Sequence, residues 1–256
     1  MTRVALVTGA ASGLGRAVAA YMADRGWTVA GLDRSADAAE GAALTLAADV
    51  RDPRAVEDAV ARVAAELGGL DAVAGCAGVF HNDLTPLHLL SDDAWATHLD
   101  VNVTGAFHVV RAALPHLIAA RGAIALVASV ASRHPQPGGA AYAVSKAGVA
   151  SLARAIALEY GPRGVRANAV SPGYMDTPMA APLMSRPHVR AAIEHGLPLR
   201  RAGQPEEIAP VIEFLLSDAG RYVTGEDVTV DGAGALTAYT SGDDVDRMWR
   251  RNPGPG

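Results

Sequence analysis

Short apolar runs alternate with longer Ala-rich amphipathic stretches along almost the whole chain, and no other feature limits the possible fold as strongly. The pattern opens with VALVT (4–8), GRAVAAYMADRG (15–26) and TVAGLD (28–33). Five further strand-type runs follow, ALTLAADV, LDAVAGCAG, AIALVAS, VRANAVSPG and DVTVDG, so about seven strands are expected. Between them lie PRAVEDAVARVAAELG, the long segment from Asp92 to Ala120, AAYAVSKAGVASLARAIALEYG and PEEIAPVIEFLLS, all with helical character. Strands that are apolar throughout must be covered on both faces, which a parallel sheet with right-handed helical crossovers achieves. The expected fold is therefore α/β, a Rossmann-like doubly wound parallel sheet of about seven strands with helices on both faces. No Pro/Gly/Ser-rich linker divides the chain, and residues 1–256 read as one domain.

Composition agrees with such a core. Half of the residues are hydrophobic and only 5% aromatic, so Ala, Val, Leu and Ile must fill the interior. The formal net charge is −5 and neither sign gathers into a long run, which argues against a nucleic-acid partner. The single cysteine, Cys76, cannot form an intrachain disulfide, and no metal site is expected. The N-terminus passes straight from a short apolar run into glycines without the layout of a cleavable signal, and no uninterrupted apolar stretch reaches about 18 residues. The expectation is a cytoplasmic protein with no membrane association.

The first strand runs into TGAASGLG, whose glycines at 9, 13 and 15 precede the first helix. A helix N-terminus approached by backbone without Cβ atoms is suited to a pyrophosphate, because unpaired N–H groups and the helix dipole both favour an anion. Asp33 closes the second strand 18 residues after Gly15. A carboxylate there accepts hydrogen bonds from both hydroxyls of an adenosine ribose and repels a 2′-phosphate, favouring NAD(H) over NADP(H). Arg34 follows it and could meet such a phosphate, while Asp33 could equally serve as a turn former.

Two regions break the rhythm. Residues 178–204 carry prolines at 178, 182, 187 and 198 and fall between the sixth strand and the next helix, a place for a lid. The tail, 235–256, ends in WRRNPGPG and reads as a frayed terminus.

In YAVSK, Tyr142 and Lys146 lie four residues apart, on one face of a helix. Taken in order, TGAASGLG, NVTG, Ser129 (13 residues before Tyr142), YAVSK and SPG make the chain resemble the classical short-chain dehydrogenase/reductase family over residues 3–234. The resemblance implies an NAD(H)-dependent enzyme interconverting a secondary alcohol and a ketone, with Asn102, Ser129, Tyr142 and Lys146 as catalytic residues. Tyr142 would exchange the proton at the substrate oxygen. Lys146 would favour the phenolate and hold the nicotinamide ribose. Ser129 would hold the substrate oxygen, and Asn102 would anchor a water leading protons toward Lys146. Cofactor contacts would come from Gly9, Ser12, Gly13, Leu14 and Gly15, from Asp33, from Asp49 and Val50 at the adenine, from Cys76, Ala77 and Gly78, from Tyr142 and Lys146, and from Pro172, Gly173, Met175 and Thr177 at the nicotinamide. A homotetramer using the helices around 103–120 and 142–160 is also implied.

One departure is visible. Where the family has Asn-Asn-Ala-Gly, this chain has Gly75, Cys76, Ala77 and Gly78. The turn past the ribose is kept, the asparagine side chains are not, and Cys76 reads as a small buried residue rather than a nucleophile. Arg186, His188, Arg190, His195, Arg200 and Arg201 make the 178–204 segment cationic, which fits either a polar or anionic substrate or a solvated helix. His81, His134 and Gln136 flank the expected pocket. The alternative from another class is a catalytically silent dinucleotide-binding sensor, against which the Tyr142/Lys146 pair argues. Enoyl reductases of related fold space Tyr and Lys seven apart, and sugar-nucleotide epimerases carry a larger C-terminal domain.

Overall fold

A computed structural model describes residues 2–35, 39–81 and 85–239. Its strands are β1 (Val4–Thr8), β2 (Thr28–Asp33), β3 (Leu44–Ala47), β4 (Ala72–Gly75), β5 (Ala123–Val127), β6 (Arg166–Pro172) and β7 (Asp227–Val230). Among the described residues they form one parallel sheet in the order β3-β2-β1-β4-β5-β6-β7. The helices are α1 (Gly13–Asp24), α2 (Pro53–Leu67), α3 (Asp92–Leu99), α4 (Gly105–Ala120), α5 (Ala140–Tyr160), α6 (Ala181–Met184), α7 (Pro187–Gly196) and α8 (Pro205–Leu216). The chain winds outward from β1 to β3, returns to place β4 beside β1, and then winds the other way. That reversal opens a crevice at the carboxyl ends of β1 and β4, where ligands of open α/β sheets bind.

Burial on both faces explains the continuous apolar runs. Every residue of β1 is buried. Val4 and Leu6 join the layer containing α2, α4 and α5, whereas Ala5 and Val7 join that of α1 and α8. The sheet surface beneath α8 includes Ala5, Ala72, Ala74, Ala123 and Ala125, small enough for Ile208, Ile212 and Leu215 to pack closely on it. Helix ends follow local chemistry. Asp52 caps α2 by accepting from the Arg54 and Ala55 N–H groups at 3.0 and 3.2 Å, Pro53 occupies the first turn, and Gly68 at φ +84° ends the helix.

The segment from Asp92 to Ala120 is helical throughout but interrupted. Between α3 and α4, Asp100–Thr104 forms a π turn in which the Gly105 N–H reaches back to the Asp100 carbonyl. By length and composition, this stretch is apolar enough to cross a membrane, while Val109, Val110, Ala113 and Leu117 on it are buried in the core. Residues 178–204 hold α6 and α7. Of the tail, Gly234–Tyr239 forms a 3₁₀ turn; its remaining residues, 240–256, lie outside the described ones.

Candidate active site

The turn from β1 into α1 is built by glycines in two distinct ways. Gly9 sits at φ +69°, and a Cβ there would lie 3.0 Å from the Ala77 backbone. At Gly15 a Cβ would fall 2.1 Å from the Gly9 carbonyl oxygen, so the helix can start this close to the loop only without one. Ser12 is the N-cap of the 12-residue α1 yet makes no side-chain capping bond. The first turn thus presents its N–H groups to the crevice without a protein acceptor from that side chain, an arrangement that fits an anionic phosphate group.

One cleft contains all of the expected cofactor residues. Gly9, Ser12, Gly13, Leu14, Gly15, Asp33, Asp49, Val50, Cys76, Ala77, Gly78, Tyr142, Lys146, Pro172, Gly173, Met175 and Thr177 all line it, as does Ser129. Sequence reasoning missed Leu32, Ala48, Val79, Val101, Val127, Ala128, Pro178 and Met179, apolar wall residues with no distinguishing pattern. The Asp33 carboxylate is fixed by the Ala11 N–H at 3.2 Å and the Ser35 N–H at 3.1 Å. One bond to each oxygen leaves acceptor capacity for ribose hydroxyls, so turn formation does not use up the carboxylate. Arg34 lines the same cleft. Asp49 is held below the usual carboxylate range by Arg51, whose Nη2 lies 2.6 Å from Oδ2. The Val50 carbonyl is engaged by His108 Nδ1 at 2.9 Å.

Behind the β4 turn sits Asn102, which does not line the cleft. It is 1% exposed on the π turn, where Oδ1 accepts from the Val79 N–H at 2.8 Å and Nδ2 donates to the Val79 carbonyl at 3.1 Å and to Ser145 Oγ at 2.9 Å. Ser145 Oγ in turn donates to the Tyr142 carbonyl at 2.7 Å. Neither Ser145 nor the π turn was legible in advance, because a serine inside an Ala-rich helix carries no pattern. A Cβ on Gly78 would stand 3.1 Å from Asn102 Oδ1 and 3.3 Å from Lys146 Nζ, so that glycine makes room for both.

Tyr142 and Lys146 project from one face of α5, as their spacing requires. Desolvation pushes the Tyr142 phenol above its ordinary range, and a hydrogen bond with the Ser129 side chain opposes that rise. Phe80 packs on the Tyr142 ring at 4.7 Å between centroids. Lys146 is buried, donates to the Val127 carbonyl at 2.8 Å, and is pushed down to about 8 by desolvation. Its Nζ lies 5.7 Å from the Tyr142 ring centroid. Among the protein's own groups Ser129 opposes the rise of the phenol, and one N–H of the buried Lys146 ammonium goes to the Val127 carbonyl. Cys76 faces the same cleft with its thiol pushed up to about 12 by desolvation, the chemistry of an inert packing residue.

A second, smaller pocket shares Ser129, Tyr142, Gly173, Met175, Thr177 and Met179 with the cleft. Its other walls include Phe80, Val130, Pro137, Tyr174 and Leu183, with His134 and Gln136 at an exposed rim. His81, by contrast, does not line it; its backbone N–H bonds His98 Nε2 at 3.2 Å. Nor does any of the six cationic or imidazole residues of 178–204 line this pocket. Arg190 grips Asp176 with two bonds of 2.9 and 2.7 Å and Glu194 with one of 2.9 Å, tying α7 to the loop after β6. Arg201 pairs with Glu207 at 2.6 Å.

Comparisons with known proteins agree with this geometry. A family profile described as enoyl-(acyl carrier protein) reductase matches residues 9–234. The chain is 41% identical to cis-4-hydroxycyclohexanecarboxylate dehydrogenase of Sinomonas cyclohexanicum, covering 90% of this chain and 95% of that one. It is 36% identical to 2-(R)-hydroxypropyl-CoM dehydrogenase of Xanthobacter autotrophicus, covering 91% and 98% respectively. Among solved structures, levodione reductase superimposes with a TM-score of 0.85 at 32% identity, over 93% of this chain and 98% of that one.

Proposed function

This chain belongs to the classical short-chain dehydrogenase/reductase family, and on that premise we propose that it is an NAD(H)-dependent oxidoreductase interconverting a secondary alcohol and a ketone, with Tyr142 as general acid/base. The family uses nicotinamide dinucleotides, and its related members are secondary-alcohol dehydrogenases and ketoreductases. One observation carries the reading. The Ser129 and Tyr142 side chains lie where the long cleft and the smaller apolar pocket share a wall, so a carbinol entering from one side meets both hydroxyls beside whatever occupies the other.

The bound dinucleotide supplies the hydride acceptor or donor. Its pyrophosphate would be held by Gly9, Ser12, Gly13, Leu14 and Gly15, its adenosine ribose by Asp33, its adenine by Asp49 and Val50, and its nicotinamide half by Cys76, Ala77, Gly78, Tyr142, Lys146, Pro172, Gly173, Met175 and Thr177. In alcohol oxidation Tyr142 Oη removes the carbinol proton, and in ketone reduction it returns one. Ser129 Oγ donates to the same oxygen and stabilises its developing charge. Lys146, held down to about 8, is mostly ammonium near neutral pH with its neutral form within reach, so it is poised to release and regain a proton behind Tyr142, and Asn102 braces the π turn from which a water would feed it. The four-residue Tyr142/Lys146 spacing supports carbinol chemistry over the enoyl reduction in the profile's description. Asp33 supports NAD over NADP.

The Sinomonas relative's name specifies a ring alcohol, and the small pocket favours a substrate of that size. We read residues 1–256 as one catalytic domain acting on small molecules in the cytoplasm, assembled as a homotetramer through α4 and α5, on which Phe107, Val144 and Leu158 are exposed. Light scattering tests the assembly. For the activity, NADH and NADPH oxidation is followed with a panel of cyclic and open-chain ketones. Turnover with NADH supports the reading, and no turnover with either cofactor, while both bind, counts against it.

A further inference from the structure

Resting on the alcohol/ketone reading above, we propose that the substrate is an uncharged, compact ring alcohol or ketone and that the pocket rejects carboxylates of the same shape. The pocket beside Tyr142 measures about 140 Å³, well below the roughly 300–1,000 Å³ typical of sites for drug-sized ligands. That size suits a single ring. Its walls are mostly hydrocarbon, with Phe80, Val130, Ala131, Pro137 and Leu183 among them, and its polar side chains are neutral hydroxyls and an amide apart from His134 at the rim. Gln136 Nε2 donates to Tyr174 Oη, so the two loops facing each other across the pocket are joined by a neutral hydrogen bond.

A buried carboxylate needs a cation that it can pair with. Among the described residues lining the pocket none is Lys, Arg, Asp or Glu. Three arginines close to the pocket in the chain are already paired. Arg133, next to His134 in the chain, lies 2.5 Å from Asp227 Oδ2 and also donates to the Asp227 carbonyl at 2.9 Å. The Asp227 side chain is only 2% exposed, so withdrawing Arg133 toward a substrate would leave a buried carboxylate with the Ser171 hydroxyl at 2.6 Å and Arg154 at 3.9 Å in place of its shortest ion pair. Arg190 is committed to Asp176 and Arg201 to Glu207 in the same manner. Arg190 and Arg201 thus fasten the lid, and none of the six cationic or imidazole residues of 178–204 reaches the pocket wall.

The test compares cis-4-hydroxycyclohexanecarboxylate with cis-4-hydroxycyclohexanecarboxamide, nearly equal in shape and different in charge, alongside cyclohexanol. Assays use the full chain with NAD at about pH 8, where imidazoles of ordinary basicity carry no charge. The carboxamide and cyclohexanol are expected to exceed the carboxylate in kcat/KM by at least about 100-fold. Leu183→Arg, which sets a cation in the pocket wall, is expected to raise kcat/KM for the carboxylate at least about tenfold without a matching gain for the carboxamide. Equal turnover of carboxylate and carboxamide by the wild-type chain, or a preference for the carboxylate, overturns the inference while leaving the oxidoreductase reading intact. If no alcohol is oxidised although NADH fluorescence shows cofactor bound, the oxidoreductase reading falls and this inference with it.

Discussion

Asn102 and Val79 exchange two hydrogen bonds, at 2.8 and 3.1 Å, that lock the turn after β4 to the π turn between α3 and α4. The remaining Asn102 N–H goes to Ser145, the residue before Lys146, so one side chain sets the spacing of three segments around the cleft. Asn102→Leu keeps the volume but leaves these buried groups unpaired, at about 1–3 kcal/mol for each unsatisfied group. We expect urea denaturation to show a loss of about 2–4 kcal/mol. A change below about 0.5 kcal/mol, ordinary for a surface substitution, would contradict the bracing role.

Lys146 and Cys76 give stability a distinctive pH dependence. Burial holds the Lys146 ammonium at about 8, against about 10.4 in an unfolded chain. Between those values the unfolded chain binds more protons, so this group makes stability rise with pH. Cys76 acts in the opposite sense: its thiol, pushed up to about 12, keeps its proton when folded, and stability is lost as pH climbs past the free-thiol value of about 8.5. Lys146→Met removes the first contribution and, because the ammonium opposes the rise of the Cys76 thiol, leaves the second in place or stronger. The variant is expected to exceed wild type by up to about 3 kcal/mol near pH 7, with the gap closing as pH rises from about 8 to 10. Paired thermal melts across that range measure it, and a gap independent of pH would be the wrong result.

Cofactor choice is expected to hinge on Asp33. Asp33→Ser retains an acceptor near the Ala11 and Ser35 N–H groups while removing the charge that repels a 2′-phosphate, with Arg34 lining the same cleft. The NADP-to-NAD ratio of kcat/KM should rise at least about 100-fold, equivalent to about 2.8 kcal/mol. An unchanged ratio would assign Asp33 to turn formation alone.

The clasp between Asp176 and Arg190 should govern substrate binding more than chemistry. Asp176 lies between Met175 and Thr177, both in the cleft wall, and its carboxylate also accepts from Gln204 Nε2 at 3.0 Å. Arg190→Ala frees α7 from that loop. We expect KM for the alcohol to rise about tenfold with kcat within about threefold of wild type. A fall in kcat with KM unchanged would instead place the clasp in the chemical step.

Much of this arrangement was legible in the sequence because it rests on local rules. Burial on both faces of the sheet writes itself as continuous apolar runs, and Gly9 and Gly15 are glycines because backbone approaches them too closely for a Cβ. The Tyr142/Lys146 pair follows from helical periodicity alone. What escaped depends on distant contacts. The π turn at Asp100–Thr104 is coupled to Val79 and Ser145, 23 and 43 residues from Asn102. The fate of the lid arginines was equally hidden, since a cationic segment looks the same whether it faces a substrate or Asp176 and Glu207. Sequence spacing likewise does not reveal that one N–H of Lys146 goes to the Val127 carbonyl.

The central claim, that Tyr142 carries the proton, is tested most directly by Tyr142→Phe. The substitution keeps the ring against Phe80 and removes only the hydroxyl that Ser129 bonds. NADH formation from NAD and cyclohexanol is measured beside NADH binding by fluorescence. The account predicts binding within about threefold of wild type and a fall in kcat of about 10²–10⁴. Wild-type turnover by the variant would contradict it.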